Sequence, residues 1–88
     1  MIKITVLNKG LLENKYVFDL EDIRIGREES NNIVLDSLGI KRHHAKISHI
    51  GGSYYFLPDE GDVESRGVLK AKDEIAIRSY TLRIDEIN

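Results

Sequence analysis

The 88-residue chain contains no cysteine. That excludes disulfide staples and thiolate metal sites. It suits a reducing compartment, and the cytoplasm is the expected location. No apolar run approaches the roughly 18 residues of a membrane-spanning helix. The opening Met1-Ile2-Lys3-Ile4-Thr5 has no long apolar core of a secretory signal. Direct membrane insertion is therefore not expected. Neither charge sign dominates: 13 Lys and Arg face 15 Asp and Glu, for a net charge of −2. With a pI near 5.9, no global field draws nucleic acid or an anionic membrane surface. Any anion site must be local. No segment keeps a helical period over three turns, so helices are not expected.

What the chain does have is short alternating runs. Ile2, Ile4 and Val6 alternate with Lys3, Thr5 and Leu7, which predicts a strand with one buried face. Tyr16, Phe18 and Leu20 predict a second, paired to the first through a hairpin loop over Gly10–Asn14. Ile23 and Ile25 flank Arg24 in a third that ends at Gly26. Ile33-Val34-Leu35 is a short fourth, and Ala45 to about Ile50 a fifth. Gly51-Gly52-Ser53 is a hairpin turn, because glycine reaches positive φ without steric cost. Tyr54–Leu57 is a sixth strand, ended by Pro58, the one proline. Glu74–Ile77 and Thr81–Ile84 form a last hairpin. Strands at such intervals predict one all-β domain over residues 1–88, a small β-sandwich of two antiparallel sheets. Eighty-eight residues fit one domain whose core supplies about 3–5 kcal/mol.

The chemistry concentrates in two basic loop ends. Ile25-Gly26-Arg27 hands an arginine from a strand to a loop. Lys41-Arg42-His43-His44 runs into the strand that begins at Ala45. Held side by side, these ends make an anion site. Arginine's planar fork meets two oxygens of a phosphate at once, whereas lysine offers an undirected point charge. The plainer readings are an Arg27 ion pair with Glu28 or Glu29 and a basic loop that keeps the domain soluble. His43, His44 and His49 are a conceivable metal set, but adjacent strand residues point opposite ways, so no metal or other cofactor is expected. With no thiol, no metal cluster and no Ser-His-acid set that can be placed together, an enzyme is not expected. The acidic pI and the lack of interleaved aromatics argue against nucleic acid at Lys41–Lys46. Tyr16, Phe18, Tyr54 and Phe56 are read as core.

In order and spacing, these residues resemble a forkhead-associated (FHA) domain. That family is a small β-sandwich that reads phosphothreonine peptides through loops at one end. Its pattern is Gly-Arg at a strand end, then Ser-Arg-x-His before the next strand, then Asn-Gly in a later loop. Gly26-Arg27 matches the first part. Arg42-His43-His44-Ala45-Lys46-Ile47 matches the second, which places the family histidine at His44. Gly67 matches the last glycine, and Asp73-Glu74-Ile75 resembles the run that opens the final hairpin. The pattern spans Ile23 to Ile77.

Two positions depart from the family. Lys41 stands where its phosphate-bonding serine falls, and Arg66 where its peptide-gripping asparagine falls. An arginine only donates, so it cannot grip a peptide carbonyl and amide together. It reaches the phosphate instead, or pairs with Asp62 or Glu64. The resemblance implies that Arg27, Lys41, Arg42 and Arg66 bind phosphate or peptide. It also implies that Gly26, His44 and Gly67 brace the loops. The expected partner is a protein, either one phosphorylated on threonine and read with weakened specificity, or one bound without phosphate by a degenerate scaffold within a larger assembly.

Overall fold

The computed structural model describes residues 1–58 and 67–88. Among these there is no helix, and so none long and apolar enough to cross a membrane. Eight strands form in chain order: β1 (Ile2–Asn8), β2 (Leu11–Phe18), β3 (Asp22–Gly26), β4 (Ile33–Val34), β5 (Ala45–Ile50), β6 (Ser53–Pro58), β7 (Glu74–Ile77) and β8 (Tyr80–Ile87). They make two four-stranded sheets, one in each of two compact units. The all-β class expected from the alternation is the class found.

The first unit holds Met1–Asp19 and Lys70–Asn88. Its sheet runs β2-β1-β8-β7, antiparallel throughout. Ile2, Ile4 and Val6 of β1 are buried, as are Leu82 and Ile84 of β8 and Ile75 and Ile77 of β7. Burying one such side chain stabilises by about 1.5–3 kcal/mol. The β1–β2 hairpin differs from the loop expected over Gly10–Asn14. β2 already begins at Leu11, and the turn is Lys9-Gly10, both at positive φ (52° and 80°). Two such residues match the twist of a two-residue hairpin. Leu11–Lys15 are all exposed, so no burial alternation marks them as strand. Tyr16 and Phe18 also differ from expectation. They are half-buried and stack on each other at 5.3 Å rather than joining the buried core.

The second unit, Leu20–Leu69, carries the basic loops. Its sheet runs β4-β3-β5-β6. Ile23, Ile25, Ile47, Tyr54 and Phe56 fill its buried side. Gly51 and Gly52 turn the β5–β6 hairpin at φ 58° and 83°. One pair departs from the expected antiparallel order: β3 and β4 are parallel, with Ile25 opposite Ile33. Parallel neighbours usually need a crossover of a dozen residues or more. Here residues 27–32 suffice, because β4 is two residues long and the loop doubles back beside its own strand. The Asn32 amide donates to the Arg24 carbonyl at 2.9 Å, and Asn32 Oδ1 accepts from the Arg24 amide at 2.8 Å. Arg27 therefore leaves β3 at the start of a tightly folded loop.

Candidate functional site

Antiparallel pairing of β3 with β5 puts the end of one beside the start of the other: Ile25 lies opposite Ala45. The two basic loops consequently meet backbone to backbone. The Arg27 amide donates to the Lys41 carbonyl at 3.0 Å, and the Glu28 amide to the Arg42 carbonyl at 3.4 Å. The His44 amide donates to the Ile25 carbonyl at 2.9 Å. Arg27, Lys41 and Arg42 are thus brought together. Arg66 lies outside the described residues.

Three residues shape this junction. A Cβ built on Gly26 would lie 2.1 Å from the Arg42 carbonyl oxygen and 2.9 Å from Asn31 Nδ2. Only glycine permits this approach. His44 Nδ1 accepts a hydrogen bond from the Lys41 amide at 3.3 Å, tying the loop to the strand it enters. Asn31 is 7% exposed, and its Nδ2 donates to the carbonyls of Glu28 (2.8 Å) and Arg42 (2.7 Å). That single amide pins both loops. The sequence reading missed Asn31. Its signal was one of two adjacent amides in a polar turn, and its partner at position 42 is eleven residues away. Gly67 contrasts with Gly26: a Cβ there would meet nothing within 4 Å.

The cationic side chains are available. Arg27 is half-buried, while Lys41 and Arg42 are exposed. Among the described residues none of the three makes an ion pair or a side-chain hydrogen bond. Glu28, a sequence-level candidate partner for Arg27, instead lies 3.5 Å from His43 Nε2. The histidines are each engaged separately: His43 with Glu28, His44 with Lys41, and His49 stacked on Tyr54 at 4.2 Å.

A four-stranded sheet thus presents two cationic loops joined by backbone hydrogen bonds. A model of the FHA domain family matches residues 23–78, and the chain belongs to that family. Its fold is similar to Mycobacterium tuberculosis EmbR, solved in complex with a low-affinity phosphopeptide. The TM-score is 0.80 at 26% identity, over 96% of this chain and 24% of EmbR. The chain thus spans about a quarter of EmbR. The Slr1951 protein from Synechocystis matches at TM-score 0.76 and 16% identity, over 99% of this chain and 96% of that one. The FhaA FHA domain, solved with the intracellular domain of Rv3910, matches at 0.77 and 14%, over 96% and 99%. A search of curated protein sequences gave no match.

Proposed function

We propose that this chain is a non-catalytic module that binds a phosphothreonine segment of a partner protein at the Arg27–Lys41–Arg42 junction. Arg66 is the fourth contact, and specificity is weaker than the family pattern implies. One observation carries the reading: three cations converge on one loop junction, and none has an acidic partner among the described residues. A phosphate brings about −1.5 to −2 charge and three acceptor oxygens to such a cluster. Arg27 supplies the directed, two-pronged contact, and Lys41 and Arg42 add attraction. The phosphopeptide in the EmbR complex lends support, since the matched quarter of EmbR is 26% identical to this chain.

A second reading rests on Lys41 and Arg66 themselves. They replace the hydroxyl and amide that the family pattern supplies, so a phosphate-independent scaffold is the alternative. Titrating the domain with a phosphothreonine peptide and its unphosphorylated twin separates the two. The phosphorylated form should bind, and Arg27→Ala should weaken it by about tenfold or more, the worth of a charge-assisted hydrogen bond. Equal binding of both peptides would select the scaffold.

A further inference from the structure

The sheet β2-β1-β8-β7 leaves the outer side of β2 with no strand beside it among the described residues. An edge of eight residues offers unpaired backbone groups to another strand. Only its first part is guarded. Val6 lies opposite Asn14 and Leu7 opposite Leu12, so Glu13 is an extra residue, a bulge that bends the start of β2 off the regular ladder. Residues 14–18 pair with residues 2–6 without a break, and no proline interrupts them. The Lys15 amide donates to the Asn14 side chain at 2.9 Å in an exposed bond, so it faces away from β1. With the two-residue period of a strand, Val17 faces the same way. Tyr16 and Phe18 lie opposite Ile4 and Ile2, yet stay half-buried and stacked at 5.3 Å. Val17 is 59% exposed. The Asp19 side chain, one residue past β2, is 92% exposed, and its ion pair with the Met1 ammonium at 3.9 Å is worth little.

This stretch is complementary to itself. Opposed residues of an antiparallel pair share a sheet face, so a two-fold axis between two copies of β2 must pass through a residue. An axis at Asn14 runs through the bulge. One at Lys15 opposes that lysine to its copy, and one at Tyr16 sets Glu13 against Asp19, like charges in both cases. One at Phe18 sets Val17 against Asp19. An axis at Val17 instead opposes Lys15 to Asp19 twice and Tyr16 to Phe18 twice, with Val17 against its copy. Opposite charges and aromatic pairs are the favourable combinations across strands. The hydrogen-bonded positions of that register fall on Lys15 and Val17, the residues whose backbone faces out.

We propose that two copies of this chain associate edge to edge through β2, antiparallel about a two-fold axis at Val17, with Lys15 of each copy facing Asp19 of the other. The inference is independent of the phosphothreonine reading. Sedimentation of the chain at rising concentration, up to about 1 mM, reads even weak self-association. The parent should form a dimer and nothing larger, because the two edges close on each other. Asp19→Lys turns both charged pairs repulsive and should weaken the dimer about tenfold or more. The exchange Lys15→Asp/Asp19→Lys should restore association to near the parent's value. Raising the salt should also recover much of the Asp19→Lys dimer, because repulsion between exposed charges is screened. Leu11→Ser/Leu12→Ser removes exposed apolar surface outside the proposed register and should leave association unchanged. All the substituted residues are exposed, so the variants should fold, and melting curves verify it. Lys15 also attracts Asp85, so Asp19→Lys and its salt response decide the matter if the exchange variant does not fold. A parent that stays monomeric throughout overturns the proposal. So does a dimer that survives Asp19→Lys, that neither the exchange nor salt restores, or that the leucine variant dissolves.

Discussion

A methyl group at position 26 would sit 2.1 Å from the Arg42 carbonyl oxygen, far inside any contact distance. Gly26 is therefore set by the approach of the neighbouring loop. That approach is what lets the Arg27 and Glu28 amides reach the Lys41 and Arg42 carbonyls. His44 acts from the other side through the Lys41 amide. That bond is exposed and 3.3 Å long, so its loss strands no deeply buried group. His44→Ala should accordingly lower stability by at least about 0.5–1.5 kcal/mol, the net worth of the one ordinary hydrogen bond to Lys41. Urea unfolding measures this directly, and an unchanged midpoint would dismiss the bracing role. Gly26 and His44 were legible because each occupies a fixed place in a recognisable pattern. Asn31 was not, since its geometry exists only once residues 28 and 42 are brought to it.

At the scale of elements, burial decided what could be read. Residues 22–25 and Glu74–Ile77 alternate cleanly between exposed and buried, and both strands were legible. The first half of β2 buries nothing, so its pairing with β1 left no mark in the residue pattern. The far end of β8 escaped for a related reason: Asp85 and Glu86 are adjacent exposed charges that end the alternation. Asp85 nonetheless has a structural role in the first sheet. The Thr5 hydroxyl, itself buried, donates to its carboxylate, and Arg83 Nε lies 3.0 Å away. The Thr5 bond, joined by the Arg83 contact, holds the Asp85 carboxyl below its ordinary value of 3.8 against an opposing effect of burial. A lowered pKa in the folded state favours folding above the unfolded value, and that contribution fades as pH falls through the folded value. The affected window lies below about pH 4. Asp85→Asn should therefore make stability fall less steeply between about pH 4 and pH 2 than in the parent. Denaturation midpoints across that range check it; parallel pH profiles would show that Asp85 contributes no linkage.

For the molecule as a whole, the charge that matters is local. The net charge is −2, yet Arg27, Lys41 and Arg42 converge in a loop junction with no acidic partner among the described residues. The family was legible from the order of its motif, and the junction from two matching loop ends. Whether the site reads phosphothreonine was not, because that depends on Lys41 and on Arg66, which lies outside the described residues. Physical chemistry still fixes the expected behaviour. Lysine attracts phosphate without the directed bond of a hydroxyl, and arginine at position 66 cannot both donate to and accept from a peptide backbone. Attraction between exposed charges is screened over about 8 Å at physiological ionic strength. Affinity for a phosphothreonine peptide should consequently fall steeply as salt rises, and phosphoserine should bind nearly as well. Restoring the family residues tests the cause. Lys41→Ser with Arg66→Asn removes two positive charges, so binding at low salt should weaken, while preference for phosphothreonine over phosphoserine should increase and salt sensitivity should drop. Titration of parent and double variant with both phosphopeptides, at low and at physiological salt, reads all three quantities. If the parent already binds phosphothreonine selectively and without regard to salt, then Lys41 and Arg66 build a directed site of their own, and charge alone is the wrong description of it.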